Sequence, residues 1–391
     1  MAPSGVNHGA RNYGRDFPDF APTTYLNCAY QGVFPNATVA RVHQACELKR
    51  HPERLADCDY FDLPERVRAR FARLTGAHPE EVALTNSATQ GIGIAAAGLD
   101  LSAGEEVVVA SCNFPSNLFT WLHLRRRGVR VSVLDPRDGA LHLEDAARAL
   151  SPRTRVLALD WVGYTTGVRI DLGAFGELAH RHGALFVVDG TQGVGAIELD
   201  VHSLPVDVLA VAGYKWLLGP YGVGFAYLRP DVQDRLDLQV VNWLSVEGSD
   251  DFDELPAAEL PAGVPALPRA ARIFDVPETA NFLNLHASDA SLEYVEEAGI
   301  AAVNHHCRLL IDRLAEGLRA RGLVLSAAAD AGRRSTILGF RGESIEATRQ
   351  LHQRLKREHI SVSLRRGIIR VSPYLYNTEA DIDRLLAAIG L

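Results

Sequence analysis

The stretch Val187–Leu228, VVDGTQGVGAIELDVHSLPVDVLAVAGYKWLLGPYGVGFAYL, contains two apolar runs that each lead to a charged residue. The first run ends at Asp189, and the second reaches Lys215 after Tyr214. A glycine-rich turn and a third apolar run follow. Short apolar runs of this kind, separated by helix-like stretches, predict an α/β domain around a mostly parallel sheet.

The same alternation extends over the preceding part of the chain. The predicted helices are residues 37–50, 64–75, 89–99, 115–127, 142–150 and 172–182. The predicted strands are residues 107–110, 129–134, 156–159, 185–188, 208–211 and 224–228. This order predicts a sheet that is covered by helices on both faces.

Changes in composition divide the chain into four predicted segments. Residues 1–35 are predicted to be an N-terminal arm that packs on the small domain, and residues 36–244 a large α/β domain. Residues 245–282 are predicted to be a loop or linker near the active site, because 245–272 are rich in acidic residues, Pro and Ala and show no period. Residues 283–391 are predicted to be a smaller α+β C-terminal domain.

Composition and charge disfavour several classes of protein. The chain has 391 residues, is 47% hydrophobic and carries a formal net charge of −8, which disfavours a nucleic-acid partner. No apolar run reaches the roughly 18 residues that span a bilayer. The N-terminus lacks an apolar signal core, and the five cysteines show no paired spacing. We therefore expect a cytoplasmic protein with reduced thiols and no membrane segment.

Lysine is rare in this chain, and one lysine has apolar neighbours. Only three of the 40 basic residues are lysines, namely Lys49, Lys215 and Lys356. Lys215 follows an apolar strand and precedes Trp216 and Leu217, so burial is expected to lower its pKa and leave a nucleophilic amine. Such an amine suits a Schiff-base lysine. The alternative is a lysine whose side chain extends from the strand end into solvent.

Three further features match the needs of an aldehyde cofactor with a ring nitrogen and a phosphate, pyridoxal phosphate. Asp189 ends a strand 26 residues before Lys215, and an aspartate keeps the ring nitrogen protonated. Residues 85–91, TNSATQG, open a helix whose N-terminal N–H groups would bind the phosphate. Phe114 offers an aromatic face to the ring. An aspartate after a strand is common and SATQG could be an ordinary helix cap, but their joint order favours pyridoxal phosphate.

The stretch quoted first closely resembles the signature of the class V aminotransferase-like, fold-type I pyridoxal-phosphate enzymes. This group includes cysteine desulfurases, selenocysteine lyases, kynureninases, C–S lyases and isopenicillin N epimerase. The similarity extends over nearly the whole chain, from YLNCAYQG at residues 25–32 to VSPYLYNTEADIDRLL at residues 371–386. It implies that residues 36–244 bind pyridoxal phosphate, that the substrate is a small molecule of the amino-acid class, and that the chain forms a homodimer with shared active sites.

The resemblance also implies roles for individual residues at the cofactor. Lys215 would attach the cofactor covalently and move protons, Asp189 would pair with the ring nitrogen, and Gln192 would approach the ring hydroxyl. Phe114 would stack on the ring, where the desulfurases place a histidine. Tyr164 falls where many relatives carry an asparagine. The other implied cofactor contacts are Ala88 through its backbone, Thr89, Tyr214 and, from the second subunit of a dimer, Trp243 and Thr279.

Candidate substrate-binding residues lie outside the quoted stretch. Arg370 in IIRVS, residues 368–372, matches the family arginine that binds the substrate α-carboxylate, a task for which a guanidinium fork is suited. The alternative for Arg370 is a surface salt bridge. Tyr30, Tyr60 and the loop 245–272 are candidate substrate-side groups, and the alternative is that they only pack or lie in solvent.

The region before Arg370 differs from the pattern of one group in the family. Cysteine desulfurases carry a nucleophilic cysteine on a loop just before the corresponding arginine. Residues 360–370 of this chain, ISVSLRRGIIR, are short and contain no cysteine, which disfavours a persulfide-type cysteine desulfurase. Cys28 and Cys112 lie near predicted active-site segments, although a small buried residue is the simpler interpretation of each.

Without that cysteine, the favoured reaction is that of a C–S lyase, β-elimination from cysteine or an S-substituted cysteine. An S-glycosylated cysteine, as in lincosamide antibiotic biosynthesis, is one concrete candidate. Decarboxylation with oxidative deamination, epimerisation and transamination stay open, because the same cofactor supports each of them.

Two other functional classes are disfavoured. A non-catalytic pyridoxal-phosphate-binding sensor is a remote alternative, because the chain has no room before Tyr25 for a DNA-binding module. No metal site is predicted. His305, His306 and Cys307 are adjacent in a helical stretch, where neighbours point about 100° apart and cannot ligate one ion together.

Overall fold

The computed structural model describes residues 13–137, 139–249, 267–268, 270–278, 281–326 and 331–390. Its α-helices are α1 Asn36–Arg50, α2 Asp57–Thr75, α3 Ala88–Gly98, α4 Pro115–Leu122, α5 Leu143–Ala149, α6 Leu172–Arg181, α7 Pro230–Gln233, α8 Phe282–Ala298, α9 Ile300–Ala320, α10 Ile345–Arg357 and α11 Glu379–Ile389. Its strands are β1 Thr24–Tyr25, β2 Val82–Thr85, β3 Glu106–Ala110, β4 Arg130–Leu134, β5 Thr154–Asp160, β6 Leu185–Asp189, β7 Val208–Ala212, β8 Gly224–Leu228, β9 Val324–Leu325, β10 Leu338–Arg341, β11 Ile360–Ser361, β12 Ser363–Arg365 and β13 Ile368–Val371. Among the described helices, none combines the length and apolarity needed to cross a bilayer.

A seven-stranded sheet forms the centre of the large domain. Its strands lie in the order β2-β8-β7-β6-β5-β3-β4, and β8 runs antiparallel to both of its neighbours while the other pairs are parallel. One apolar core covers each face, so β6 and β7 are buried along their whole length. The predicted α/β fold with a mostly parallel sheet is confirmed.

Several elements of the large domain differ from the sequence prediction. The pattern does not predict β2, Val82–Thr85, and α2 begins at Asp57, seven residues before the predicted start at residue 64. The predicted helix 115–127 is an α-helix only as far as Leu122. It continues as a 3-10 turn, His123–Arg127, and ends where Gly128 takes a left-handed φ of +82°.

A smaller α+β unit follows towards the C-terminus. Its antiparallel four-stranded sheet has the order β12-β13-β10-β9. The helices α9, α10 and α11 share one apolar core with this sheet, to which Leu314, Leu355 and Leu385 contribute. This unit carries β13, and with it Arg370, towards the large domain.

The N-terminal arm contacts both units. β1 pairs in parallel with β11, and Leu26 belongs to the core of the small unit. Further along, the N–H of Gly32 donates to the carbonyl oxygen of Tyr214 at 2.9 Å. A side chain at Gly32 would collide with the carbonyl oxygen of Lys215, so this approach requires glycine.

The helix α8 packs with the large domain. It lies against α1 and α2, and Leu285 and Leu292 join the core on that face of the large sheet. Asp289 on α8 forms an ion pair with Arg70 on α2, with 2.7 Å between Oδ1 and Nε. The predicted domain boundaries stay predictions, and the one at residue 283 falls within α8, which packs mainly against α1 and α2 and also contacts α9. Residues 250–266 of the predicted linker lie outside the described residues.

Candidate active site

The carboxyl ends of three neighbouring strands form one cavity. Asp160 and Asp189 end β5 and β6 and lie opposite each other in register, and Lys215 follows β7. Because the carboxyl ends of parallel strands meet at one edge of a sheet, the three side chains come together there. The residues that line the cavity are Asn86, Ser87, Ala88, Thr89, Phe114, Ser116, Asp160, Val162, Tyr164, Asp189, Thr191, Gln192, Ala212, Tyr214, Lys215, Tyr221 and Gly222.

Lys215 is buried beside two aromatic rings. Its Nζ lies 5.2 Å from the ring centroid of Phe114 and 5.5 Å from that of Tyr214. Burial lowers the pKa of Lys215 to about 8; the charge of Asp189 opposes this shift, and the charge of Arg370 adds to it. Much of the amine is therefore neutral near pH 8, which is the state that a nucleophile or a base needs.

Hydrogen bonds fix Asp189 and Gln192 in the turn that follows β6. The Asp189 Oδ1 accepts the N–H of Thr191 at 2.9 Å, and burial raises the pKa of Asp189. Gln192 donates from Nε2 to the carbonyl oxygen of Ala29 at 3.0 Å and accepts at Oε1 from Trp216 Nε1 at 2.9 Å. A buried carboxylate held in this way can stabilise a protonated ring nitrogen.

The N-terminus of α3 forms one wall of the cavity. Ser87 caps the helix by accepting the N–H of Gln90 at 3.2 Å. Ala88 and Thr89 form the first turn, and the Thr89 hydroxyl donates to Ser116 Oγ at 2.7 Å. Backbone N–H groups at the positive end of a helix, together with hydroxyls, suit an anion such as phosphate.

Asp160 is a site residue that the sequence analysis does not identify. Its Oδ2 accepts the N–H of Phe114 at 2.6 Å, and its Oδ1 accepts from Asn117 Nδ2 at 3.1 Å, so this carboxylate fixes the start of α4 beside Lys215. Burial and then the charge of Asp189 raise the pKa of Asp160. The sequence contains one signal for it, since β5 and β6 both end on an aspartate.

Other polar residues of the cavity belong to predicted motifs but receive no role from the sequence. Ser87 and Thr191 lie within the TNSATQG and DGTQG stretches, and Ser116 lies in the first turn of α4. Tyr221 lies within the glycine-rich turn, residues 219–224, and its ring centroid lies 4.6 Å from that of Tyr214. Burial, and to a smaller extent the neighbouring Tyr221, raises the pKa of Tyr214 to about 12.

Arg370 lies behind Tyr164, next to the cavity. The rings of Phe114 and Tyr164 meet edge to face with centroids 5.2 Å apart, and Arg370 Nη1 donates to the carbonyl oxygen of Tyr164 at 2.7 Å. Arg370 is 2% exposed, its buried Nε has no hydrogen-bond partner, and no carboxylate among the described residues pairs with it. Burial lowers the pKa of Arg370 to about 10, and the charge of Arg365 adds to this shift. The alternative of a surface salt bridge is wrong, and a buried guanidinium without a counter-ion suits an incoming carboxylate.

Several predicted residues do not line the cavity of the single chain. Tyr30 is 55% exposed and lies under the guanidinium of Arg365, 5.7 Å from its carbon to the ring centroid. Tyr60 contacts an aromatic ring of α8, with centroids 6.4 Å apart. Trp243 is 39% exposed, and Thr279 lies outside the described residues. The implied contacts of Trp243 and Thr279 with a second subunit stay predictions.

The residues that line the cavity fit pyridoxal phosphate. Lys215 supplies an amine of lowered pKa, Asp189 a buried carboxylate and Phe114 an aromatic face, while Thr89 lies at a capped helix N-terminus. These are the groups that an aldehyde, a pyridine nitrogen, a ring and a phosphate require. Fold and cavity together define a fold-type I pyridoxal-phosphate enzyme.

Known proteins resemble this chain over most of its length. The sequence model of the family Aminotransferase class-V matches residues 58–257 and 276–385. The uncharacterized aminotransferase YcbU of Bacillus subtilis is 30% identical over 377 residues, which cover 92% of this chain and 96% of the relative. The isopenicillin N epimerase of Streptomyces clavuligerus is 29% identical over 335 residues, which cover 83% of each protein. Other relatives are named cysteine desulfurases. The chain belongs to the class-V aminotransferase family.

A solved structure shares the fold over nearly the whole chain. The cystine C-S lyase C-DES, in complex with its reaction product cysteine persulfide, has a TM-score of 0.85 at 22% identity and covers 95% of this chain and 98% of its own. A C-DES variant carries glycine linked covalently to its pyridoxal-phosphate cofactor. With the family established, this chain is a pyridoxal-phosphate-dependent enzyme that acts on amino acids.

Proposed function

We propose that this chain is a C–S lyase that eliminates the β-sulfur group of cysteine or of an S-substituted cysteine. The observation that carries the proposal is the turn before Arg370. β12 and β13 are joined by Arg366 and Gly367 alone, at φ values of +48° and +77°, which is the handedness that two-residue hairpin turns favour. So tight a turn has no loop to carry a cysteine towards the substrate. We therefore infer that the sulfur leaves with its substituent and does not pass to the protein.

The cysteines nearest the site are poor sulfur acceptors. Cys28 is fully buried, burial raises its pKa, and its Sγ faces the carbonyl oxygen of Lys215 at 3.8 Å. Burial raises the pKa of Cys112 to about 11. Since the thiolate is the reactive form, both thiols are largely unreactive near neutral pH. This supports elimination over persulfide transfer.

Different residues of the site are proposed to carry out different steps of an elimination. When bound, pyridoxal phosphate withdraws electrons from the substrate Cα and makes its hydrogen acidic. Arg370 holds the α-carboxylate, and the neutral amine of Lys215 takes up the Cα proton. The electron pair of the Cα–H bond forms a Cα–Cβ double bond while the Cβ–S bond breaks, and the sulfur departs as a thiolate that takes up a proton. Hydrolysis of the released aminoacrylate gives pyruvate and ammonia.

The proposal assigns the remaining side chains to the cofactor. Asp189 pairs with the ring nitrogen, Gln192 approaches the ring hydroxyl, and Phe114 stacks on the ring, with Tyr164 against its edge. The residues proposed to hold the phosphate are Ala88 through its backbone, Thr89 and Tyr214. Their support is the shared cavity and the capped helix N-terminus.

Cysteine conjugates are the proposed substrate class, and an S-glycosylated cysteine is one member of it. Epimerisation is the second candidate function, favoured by the likeness to isopenicillin N epimerase over most of the chain. Decarboxylation with oxidative deamination and transamination would use the same groups. In each alternative the Cβ–S bond stays intact, so release of a thiol separates elimination from all of them.

We also propose a homodimer whose subunits complete each other's sites. Trp243 is 39% exposed next to Val240 and Val241, which are 57% and 49% exposed, an apolar stretch that a second subunit would cover. In mixtures of the Lys215→Ala and Trp243→Ala chains, hybrid dimers are expected to regain part of the activity that both variants lack. Failure to regain any activity would contradict shared sites.

Absorption spectra of the purified holoenzyme test the proposed reaction. A band at about 420 nm is expected, and it should be absent from the Lys215→Ala variant. Addition of L-cysteine or S-methyl-L-cysteine is expected to release pyruvate. A spectral change without pyruvate would favour epimerisation or another alternative. A persulfide on Cys28 or Cys112 after incubation with L-cysteine, detected by mass spectrometry, would contradict the elimination.

A further inference from the structure

Positive charge is concentrated on one face of the hairpin β12–β13. Ser363 lies opposite Arg370 in register, and Arg365 follows Ser363 by two residues, so the three side chains share a face. That face is turned to the large domain, because Arg370 Nη1 donates to the carbonyl oxygen of Tyr164. This face, the substrate side of the hairpin, therefore carries two guanidinium groups, although neither residue is among those that line the cavity.

Neither guanidinium has an acidic partner among the described residues. Arg365 lies over the ring of Tyr30, 5.7 Å from its centroid, and Arg370 bonds only to neutral oxygens and leaves its Nε unpaired. Arg70, by contrast, pairs with the buried carboxylate of Asp289 at 2.7 Å. The substrate side is thus a place where cations are left without anions.

The charge of Arg365 extends to the reacting end of the site. Burial is the main cause that lowers the pKa of Arg370, and the charge of Arg365 is the second. The charge of Arg365 also contributes to the lowered pKa of Lys215. Like charges held together in a poorly solvated place repel each other. The carboxylate of an α-amino acid compensates one guanidinium, so the other remains without an acidic partner among the described residues.

We propose that Arg365 binds a second acidic group, carried on the substrate side chain, so that the substrates are amino acids whose side chain ends in a carboxylate or a similar anion. The proposal rests on the proposed function, because it assigns the α-carboxylate to Arg370. Tyr30 holds the guanidinium of Arg365 from below and is itself 55% exposed, so a side chain that extends beyond the sulfur atom meets the arginine at an open edge. Among cysteine conjugates, those with an acidic S-substituent are then preferred to neutral ones.

Arg366 provides a matched control. It belongs to the same hairpin as Arg365, but it lines a second cavity with Cys112 and Leu141, which meets the first cavity at Asp160. Its Nη1 donates to the carbonyl oxygen of Ser111 at 3.3 Å. Replacing Arg366 therefore removes the same charge from the same hairpin without touching the proposed anion site.

The test compares ligands of equal shape and different charge. L-glutamate and L-glutamine lack a leaving group on Cβ, so their binding to the holoenzyme is followed through the cofactor absorption without elimination. The wild-type enzyme is expected to bind L-glutamate at least about tenfold more tightly, the contribution of one charge-assisted hydrogen bond. Arg365→Gln is expected to abolish this preference and to change the Kd of L-glutamine by less than about threefold, and Arg366→Gln is expected to keep the preference.

Several outcomes would overturn the proposal. They are equal binding of both ligands by the wild-type enzyme, a parallel loss of both ligands in Arg365→Gln, and loss of the preference in Arg366→Gln alone. A parallel loss would mean that Arg365 binds the α-carboxylate. If Arg365→Gln does not fold, the wild-type preference for L-glutamate, and its persistence in Arg365→Lys, decide the matter.

A separate experiment tests the proposed elimination itself. S-carboxymethyl-L-cysteine and S-carbamoylmethyl-L-cysteine are an acid and its amide, and both have a sulfur leaving group. If neither compound releases pyruvate, the proposed elimination is refuted, and the charge preference measured with L-glutamate and L-glutamine still stands. Equal kcat/KM for the two, with pyruvate released, refutes the anion site and leaves the elimination standing.

Discussion

The sheet side and the hairpin side of the active site differ in how their charged groups are partnered. On the sheet side, Asp160 and Asp189 accept hydrogen bonds from residues of their own and neighbouring turns. On the hairpin side, Arg365 and Arg370 face no carboxylate of the described chain, and the Nε of Arg370 has no partner. The sheet side is thus organised before any ligand arrives, whereas the hairpin side is completed by one.

This difference indicates which ligand stays and which one is exchanged. A cofactor that remains through many turnovers is best met by groups fixed in advance, since these need no reorganisation during the reaction. A substrate is best met by charges whose repulsion is relieved when it binds. We therefore expect substitutions on the sheet side to lower kcat and substitutions on the hairpin side to raise KM.

Lys215→Ala, on the sheet side, is expected to have the largest effect. It removes the amine that accepts the Cα proton, so kcat should fall by about 10³-fold or more. The other cofactor contacts remain, and binding of pyridoxal phosphate should stay measurable by fluorescence quenching. Lys215→Arg serves as the control that keeps a cation at this position. Turnover within tenfold of the wild-type value would show that another group is the base.

Arg370→Gln, on the hairpin side, is expected to lower kcat/KM by about 10²-fold, mainly through KM, because it removes the fork that holds the α-carboxylate. Arg370→Lys should recover part of the loss. The control is Arg313→Gln, since Arg313 is half exposed and pairs with Asp383 at 2.8 Å on the surface. Steady-state kinetics give both constants. A loss confined to kcat would place Arg370 with the sheet-side groups.

Asp160→Asn tests whether the sheet side depends on prearranged hydrogen bonds. Asp160 accepts bonds from both Phe114 and Asn117, and an asparagine has one acceptor oxygen, so one of the two bonds must be lost. We expect kcat to fall about tenfold with little change in KM. The double variant Asp160→Asn with Asn117→Asp exchanges donor and acceptor and should regain part of the loss. No difference between the single and double variants would argue against this role.

The smallest expected effect links the two sides through charge. The capture of pyridoxal phosphate by the apoenzyme requires the neutral Lys215 amine, so its rate should rise with pH through about 8. Arg365→Gln removes a positive charge that lowers this pKa, so the midpoint should move to higher pH by a fraction of a unit. The growth of the cofactor band at each pH measures the rate. An unchanged or lower midpoint would show that the hairpin charge does not reach the lysine.

Much of the sheet side was accessible from sequence because its groups lie in short stretches that fold as units. Asp189 and Lys215 lie in one stretch of 42 residues, Val187–Leu228, where each follows its own strand. Asp160 was not accessible, because its contact with Phe114 joins residues 46 apart and its place beside Asp189 depends on the pairing of β5 with β6. Local patterns do not contain such a register.

The hairpin side was less accessible from sequence. Residue type alone suggests Tyr30 and Tyr60 as site residues, and the single chain places neither of them among the cavity residues. The position of Tyr30 under Arg365 depends on how the arm and the hairpin meet, which brings together residues that are far apart in the chain. The sequence identifies Arg370 only through a resemblance. Its burial and its missing counter-ion result from packing between two units, and a local sequence pattern does not reveal them.

The N-terminal arm ties the two sides together mechanically. At one end it is paired with β11, which leads directly into the hairpin, and at the other end Gly32 is bonded to Tyr214, the residue before Lys215. A chain of so few residues has little slack to take up. The arm therefore connects the hairpin to the turn that bears the amine through few residues, so we expect a displacement of one to be transmitted to the other.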